Sequence, residues 1–296
     1  MLNVGIKKEI MFFGRSFRFV GVLIASVVFA VISPLMMSLS YNMMSGLMDS
    51  GAGEIVEDTD TAANGYANAD DIIGGMGLGA IGDMFTDEDI MAKLGVVSSV
   101  GDLTNTLLLI FMLVTMYSAG GELKKRSMII PQNAGLTPKL YLLPKFLVFP
   151  VTAALLAFLG VWVSFGITSL MFKGMTVTAG QLALVALLAA VFNAFMITLY
   201  FTLGICTKKA GLSVVIMYGG NVIFTTLFNA LGADKFHPFT LTTQCQNIIT
   251  QGEIDSANLW GSIGISLLLM LLCYFVTLFV VSAKKIDNRG VEEMEL

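Results

Sequence analysis

Six long apolar runs, at about 19–39, 103–119, 146–172, 181–206, 211–232 and 259–282, contain no Asp, Glu, Lys, Arg or His between their ends. Each is near or above the ~20 residues a helix needs to cross ~30 Å of hydrocarbon. A backbone in lipid must satisfy its own polar groups, so runs of this kind are expected to be helices. With 56% hydrophobic and 13% charged residues, the chain falls far from a soluble domain, where about a quarter of the residues are charged. The reading is an all-α membrane protein of six transmembrane helices. Because the runs lack charge, no titratable group is expected inside the bilayer, and the energy for any transport should come from outside the membrane part.

Charge sets the expected orientation. Fourteen Lys and Arg lie before the first run, in the second-to-third and fourth-to-fifth connections and after the sixth run, against three (Lys93, Lys173 and Lys235) in the other connections. By the positive-inside rule both termini are cytoplasmic. The connection over residues 40–99, assigned to the outside, holds eleven Asp or Glu and one Lys. The first run is too long for a cleavable signal and reads as an anchor. Of the three cysteines, Cys245 alone falls in an outer connection. It reads as a buried or idle thiol before a bridge between subunits.

Residues 1–18 mix apolar residues with Lys7, Lys8, Arg15 and Arg18, as an amphipathic helix lying in the cytoplasmic headgroup layer would. The rest, 19–296, is one six-span domain. Within the outer connection, Asp58-Thr59-Asp60 opens like a calcium loop, but Ala63 and Ala69 stand where Gly and Glu are needed. Thr86 is the expected cap of a short outer helix at about 87–95 that leads into the second span. The cytoplasmic segment 121–141 is too apolar for a free linker. Its Glu122 meets Lys124, Lys125 and Arg126 at once, which predicts a local ion pair. A second cytoplasmic loop covers 207–210, an interfacial or re-entrant helix is expected within 233–258, and 283–296 is a cytoplasmic tail. His237 is the single histidine, too little for a metal site. Asn193 in the fourth run and Asn221 and Asn229 in the fifth are polar residues suited to interhelical hydrogen bonds or a substrate path. Gly219-Gly220 beside Asn221 predicts a close helix approach or a kink.

Catalytic motifs are missing. The sequence has no G-x-x-x-x-G-K-[ST] phosphate loop, no H-E-x-x-H and no cysteine cluster. No metal and no cofactor is expected on this chain, and no nucleic acid as partner.

The order of features is familiar. The basic elbow segment is followed by a run ending Val31-Ile32-Ser33-Pro34-Leu35-Met36, a large outer loop, and a run closing on Gly120-Gly121-Glu122. Then come Leu136-Thr137-Pro138-Lys139, Lys145-Phe146-Leu147, His237-Pro238-Phe239, and a last run ending Ala283-Lys284-Lys285. The whole chain resembles the permease subunits of ABC-2-type ATP-binding-cassette exporters. That resemblance implies a substrate path between two membrane halves in the cell membrane of a prokaryote. It also implies a second permease copy or homologue, and a separate ATPase subunit that binds ATP and Mg. The segment between spans two and three would dock on that ATPase through Glu122, Lys124, Lys125, Arg126, Ile129, Ile130, Leu136 and Thr137, with a lesser contact at Lys208 and Lys209. The rival expectations are a membrane sensor or immunity subunit that captures a cationic peptide on its acidic loop, and an ion-coupled carrier.

Overall fold

The computed structural model describes residues 2–15, 17–49, 87–122, 137–230, 235–252 and 254–283. Among them there is no strand. Helix α1 (Leu2–Arg15) precedes α2 (Phe17–Asp49), then come α3 (Glu88–Thr104), α4 (Thr106–Val114) and a π-helical turn (Tyr117–Gly121). They are followed by α5 (Pro138–Met171), α6 (Ala179–Thr207), α7 (Ala210–Ala230), α8 (Thr240–Thr250) and α9 (Ser256–Ala283). Among the described residues, five stretches are long and apolar enough to cross a membrane: Phe19–Met43, Glu88–Val114, Pro138–Met171, Ala179–Thr207 and Ser256–Ser282. The expected run at 211–232 forms α7 and is not one of the five, so the structure supports a helical multi-pass membrane protein without establishing a sixth crossing.

Local chemistry explains the helix boundaries. Thr137 accepts a hydrogen bond from Leu140 N while Pro138 takes the first helical position of α5, where a missing N–H costs nothing. Thr178 and Gln181 close a reciprocal capping box on α6, which ends at Lys208 in the left-handed region, φ 56°. At α3 the cap is Asp87, accepting from Asp89 N and Ile90 N. This corrects the expected Thr86 cap. The separate outer helix at 87–95 is corrected too, because α3 runs from Glu88 straight into the second apolar stretch.

Helix α6 is central. It buries Leu182, Leu188, Phe192, Tyr200 and Phe201 fully, whereas α9 turns Leu267, Leu268, Leu271, Leu272, Phe275 and Phe279 outward. Water gives such an outward stripe no support, but hydrocarbon does. Helix α2 is similarly one-sided, exposing Leu23, Val27, Leu35 and Leu39 while Val22, Ser26, Ala30 and Ser33 face inward.

The close approach expected at Gly219-Gly220 lies elsewhere. A Cβ on Gly219 would meet nothing within 4 Å, and one on Gly220 would touch only Phe224 of the same helix. Instead the π turn and α6 meet backbone to backbone. A Cβ on Gly120 would fall 2.6 Å from Gly204 O, and one on Gly204 would fall 2.7 Å from Ala119 O.

Helix α8 occupies the segment expected to hold a short interfacial helix. It buries Leu241, Cys245, Ile248 and Ile249, and Thr240 Oγ1 lies 3.0 Å from Ser262 Oγ of α9. Burial pushes the Cys245 thiol up to about 12. At pH 8 only about one thiol in ten thousand would then be the reactive thiolate. With Cys206 and Cys273 replaced by Ser, Cys245 is therefore expected to resist maleimide in the folded protein and to react once SDS unfolds it. Equal labelling in both states would mean that α8 is not packed as described.

Candidate functional site

Among the described residues, two polar clusters draw on three or more helical elements, and sequence reasoning located neither in full. The first joins α1, the π turn and α5. Lys145, fully buried on the second turn of α5, places Nζ 3.0 Å from Glu122 Oε2 and 3.4 Å from Glu9 Oε1. It also donates to Ser118 O at 3.2 Å. An ammonium has three N–H donors, and here three acceptors meet them. Tyr141 OH donates to Glu122 Oε2 at 3.3 Å, and the Tyr141 ring lies 5.0 Å from Lys145 Nζ. Lys8 Nζ approaches Glu9 from the surface at 3.9 Å.

The amphipathic helix is thus used in an unexpected way. Its inward face presents Glu9 and Phe13, one turn apart, while Val4, Ile10 and Met11 are exposed beside Lys7 and Lys8. Phe13 packs its ring 5.6 Å from those of both Phe111 and Phe149. Gly5 lies against the Pro144 ring, so α1 is seated on the same end of α5 that carries Lys145. Two buried carboxylates around one buried ammonium are costly to desolvate, and Glu9 Oε2 is buried with no hydrogen-bond partner among the described residues. The arrangement also has a position in the chain that matters: Glu122 stands just before segment 123–136 and Tyr141 and Lys145 just after it. The cluster therefore closes the base of that segment.

The second cluster surrounds a break in the helix that begins at Glu88. Asn105 separates α3 from α4 with φ −114° and ψ −64°. Its side chain donates back to Gly101 O at 3.0 Å, and Thr104 Oγ1 bonds Val100 O at 2.8 Å. Such side-chain bonds compete with the helical ladder and favour a break. Three helices reach this point. Ser33 Oγ of α2 donates to Asp102 Oδ2 at 2.5 Å, Asn221 Nδ2 of α7 donates to Asn105 Oδ1 at 2.8 Å, and Asn193 Nδ2 of α6 donates to Leu103 O at 3.1 Å.

Asp102 and Lys145 correct the expectation that no titratable group lies within the spanning helices. Asp102 immediately precedes the charge-free run 103–119, but the helix starts at Glu88, which places the carboxylate roughly halfway along Glu88–Val114. The charge-free interior therefore no longer argues for an external energy source.

The other sequence-derived candidates are placed unevenly. Lys7 and Lys8 are exposed on α1. Arg15 ends α1 and Arg18 is the second residue of α2, but their side chains lie outside the described residues, as does that of Asn229 in the last turn of α7. Lys124, Lys125, Arg126, Ile129, Ile130 and Leu136 also lie outside them, so the local ion pair expected of Glu122 with the basic triplet falls there. Thr137 caps α5, and Lys208 and Lys209 are exposed in the two-residue turn between α6 and α7. Among the described residues no group of three or more His, Cys, Asp or Glu could hold a metal ion.

No protein-family model, curated protein or solved structure matches the chain.

Proposed function

We propose that the chain is the membrane permease subunit of an ATP-driven exporter of the ABC-2 type, with six crossings and both termini in the cytoplasm. Helix order supports the reading: an amphipathic helix first, a Pro34-bearing long helix next, and a short helix, α8, ahead of the last long one. Helix α7, at 21 residues, spans about 30 Å at 1.5 Å per residue, enough for a sixth crossing. The exposed Val4, Ile10 and Met11 beside Lys7 and Lys8 suit α1 to an anionic headgroup layer.

The observation that carries the proposal is the closure of segment 123–136 by Glu122, Tyr141 and Lys145. A segment clamped at its base and tied to α1 transmits a push to three helices at once. That is what a partner ATPase on the cytoplasmic face needs, with ATP and Mg bound on the partner and a second permease copy completing the path. Export by this complex requires no catalysis from the present chain.

The test is co-expression with a candidate ATP-binding-cassette ATPase, such as one that a neighbouring gene is found to encode. Co-purification is expected, together with release of the ATPase when Lys124, Lys125 and Arg126 are reversed to Glu. Failure to co-purify, or ATP-driven efflux unchanged by the reversal, would sink the proposal. Efflux that stops with a protonophore at constant ATP favours an ion-coupled carrier instead, for which Asp102 supplies the titratable group. Deleting 53–72 separates the sensor reading, which predicts loss of peptide binding and no flux in any condition.

A further inference from the structure

From the helix break we infer a binding station for a monovalent cationic centre, an alkali ion or a protonated amine, formed by Asp102 with Ser33 and Asn105. The inference goes beyond the permease reading and does not rest on it.

Asp102 lies roughly halfway along a helix able to span the membrane, yet among the described residues no Lys, Arg or His pairs with it. An ionised carboxylate placed there costs about 2.5–3.5 kcal/mol on insertion scales unless a positive charge accompanies it. Its hydrogen bonding is one-sided. Ser33 Oγ holds Oδ2 at 2.5 Å, while Oδ1 bonds no described group. The residue is half-buried and is not sealed in the core. Asn105 and Thr106, at the break three and four residues on, are also half-buried. Asn221 fixes the orientation of the Asn105 amide by donating to its Oδ1.

The break places the carboxylate near the C-terminal end of α3, where helical carbonyls carry the negative end of the dipole and favour a cation. The cluster supplies one formal negative charge. Divalent ions bound by protein oxygens ordinarily draw on more carboxylates than this, so the match is to a single positive charge. A proton alone would also neutralise Asp102, and the experiment has to separate that outcome.

Full-length protein in lipid nanodiscs, without any ATPase, is titrated with ²²Na⁺ and separately with ¹⁴C-methylammonium. Wild type is expected to bind one of them saturably. Saturable sodium binding alone assigns an alkali ion, and methylammonium binding alone assigns a protonated amine. Asp102→Asn, close to isosteric, should weaken that binding at least tenfold, about the worth of a charged partner. Asp102→Glu, which keeps the charge, should retain it. Matched elution of the three proteins on size exclusion guards against misfolding. Absence of saturable binding in wild type, equal binding by Asp102→Asn, or a protonated-carboxyl infrared band at neutral pH that Asp102→Asn removes, would overturn the inference. Because no ATPase is present, loss of ATP-driven flux would count against the permease reading and leave this one standing.

Discussion

Replacing Lys145 by Met should cost the folded chain about 3–5 kcal/mol, because it strands two buried carboxylates without their shared ammonium. Glu9 and Glu122 are both nearly sealed from solvent, and Lys145 is wholly so. The readout is the unfolding midpoint of the purified protein in detergent. The double change Lys145→Met with Glu122→Gln should recover part of the loss, since removing both members of one buried pair is milder than removing one, while Glu9 keeps only Lys8 Nζ at 3.9 Å. If the single variant unfolds like wild type, the cluster is not the buried clamp described. If the double variant is no better than the single, the loss comes from packing of the long side chain and not from unpaired charge.

A second large effect is expected from Gly204→Ala, at about 1–3 kcal/mol by the cost of overpacking. A side chain can rotate away from a new methyl, but here the obstacle is backbone. Ala119 O and its carbonyl carbon would lie 2.7 and 3.2 Å from the new Cβ. Gly120→Ala should behave alike, since its Cβ would meet Gly204 O at 2.6 Å. By contrast Gly219→Ala, with nothing within 4 Å, should be neutral or slightly stabilising through helix propensity. The same thermal measurement ranks the three. A Gly219 variant as damaging as the Gly204 variant would contradict the placement of the contact.

Much of the helical content could be read from the sequence because lipid-spanning helices tolerate almost no charge. The runs at 19–39, 181–206 and 259–282 fall inside α2, α6 and α9 for that reason, and the run at 146–172 falls inside α5 but for its last residue, the cap Phe172. The same criterion failed at α3. A run measured from its last charge starts at Leu103, whereas the helix starts at its cap, Asp87, with Glu88 and Asp89 in the first turn where the dipole favours acids. Following the cap signal onward would have brought Asp102 inside the span. Glu122 was visible as an acid out of place at a helix end, but its partner Lys145 is 23 positions further along the chain and reads locally as one more flanking cation. Glu9 was hidden among the basic residues of α1. Pairings of that kind are set by how α1 and α5 pack, which no periodicity encodes. Nor does any local pattern mark the Gly120–Gly204 crossing: a Gly-Gly pair in an apolar run looks the same whether its neighbour is another helix or lipid.

The wide turn at Tyr117–Gly121 has its own mechanical meaning. A π turn holds one residue more than an α turn, so tightening it to α geometry would rotate everything that follows by about 100° about the axis. Glu122 is the next residue. Such a one-residue slip would swing its carboxylate off Lys145 and unlatch the end of the π turn from α5, so the width of one helical turn and the closure of one ion pair report on the same event.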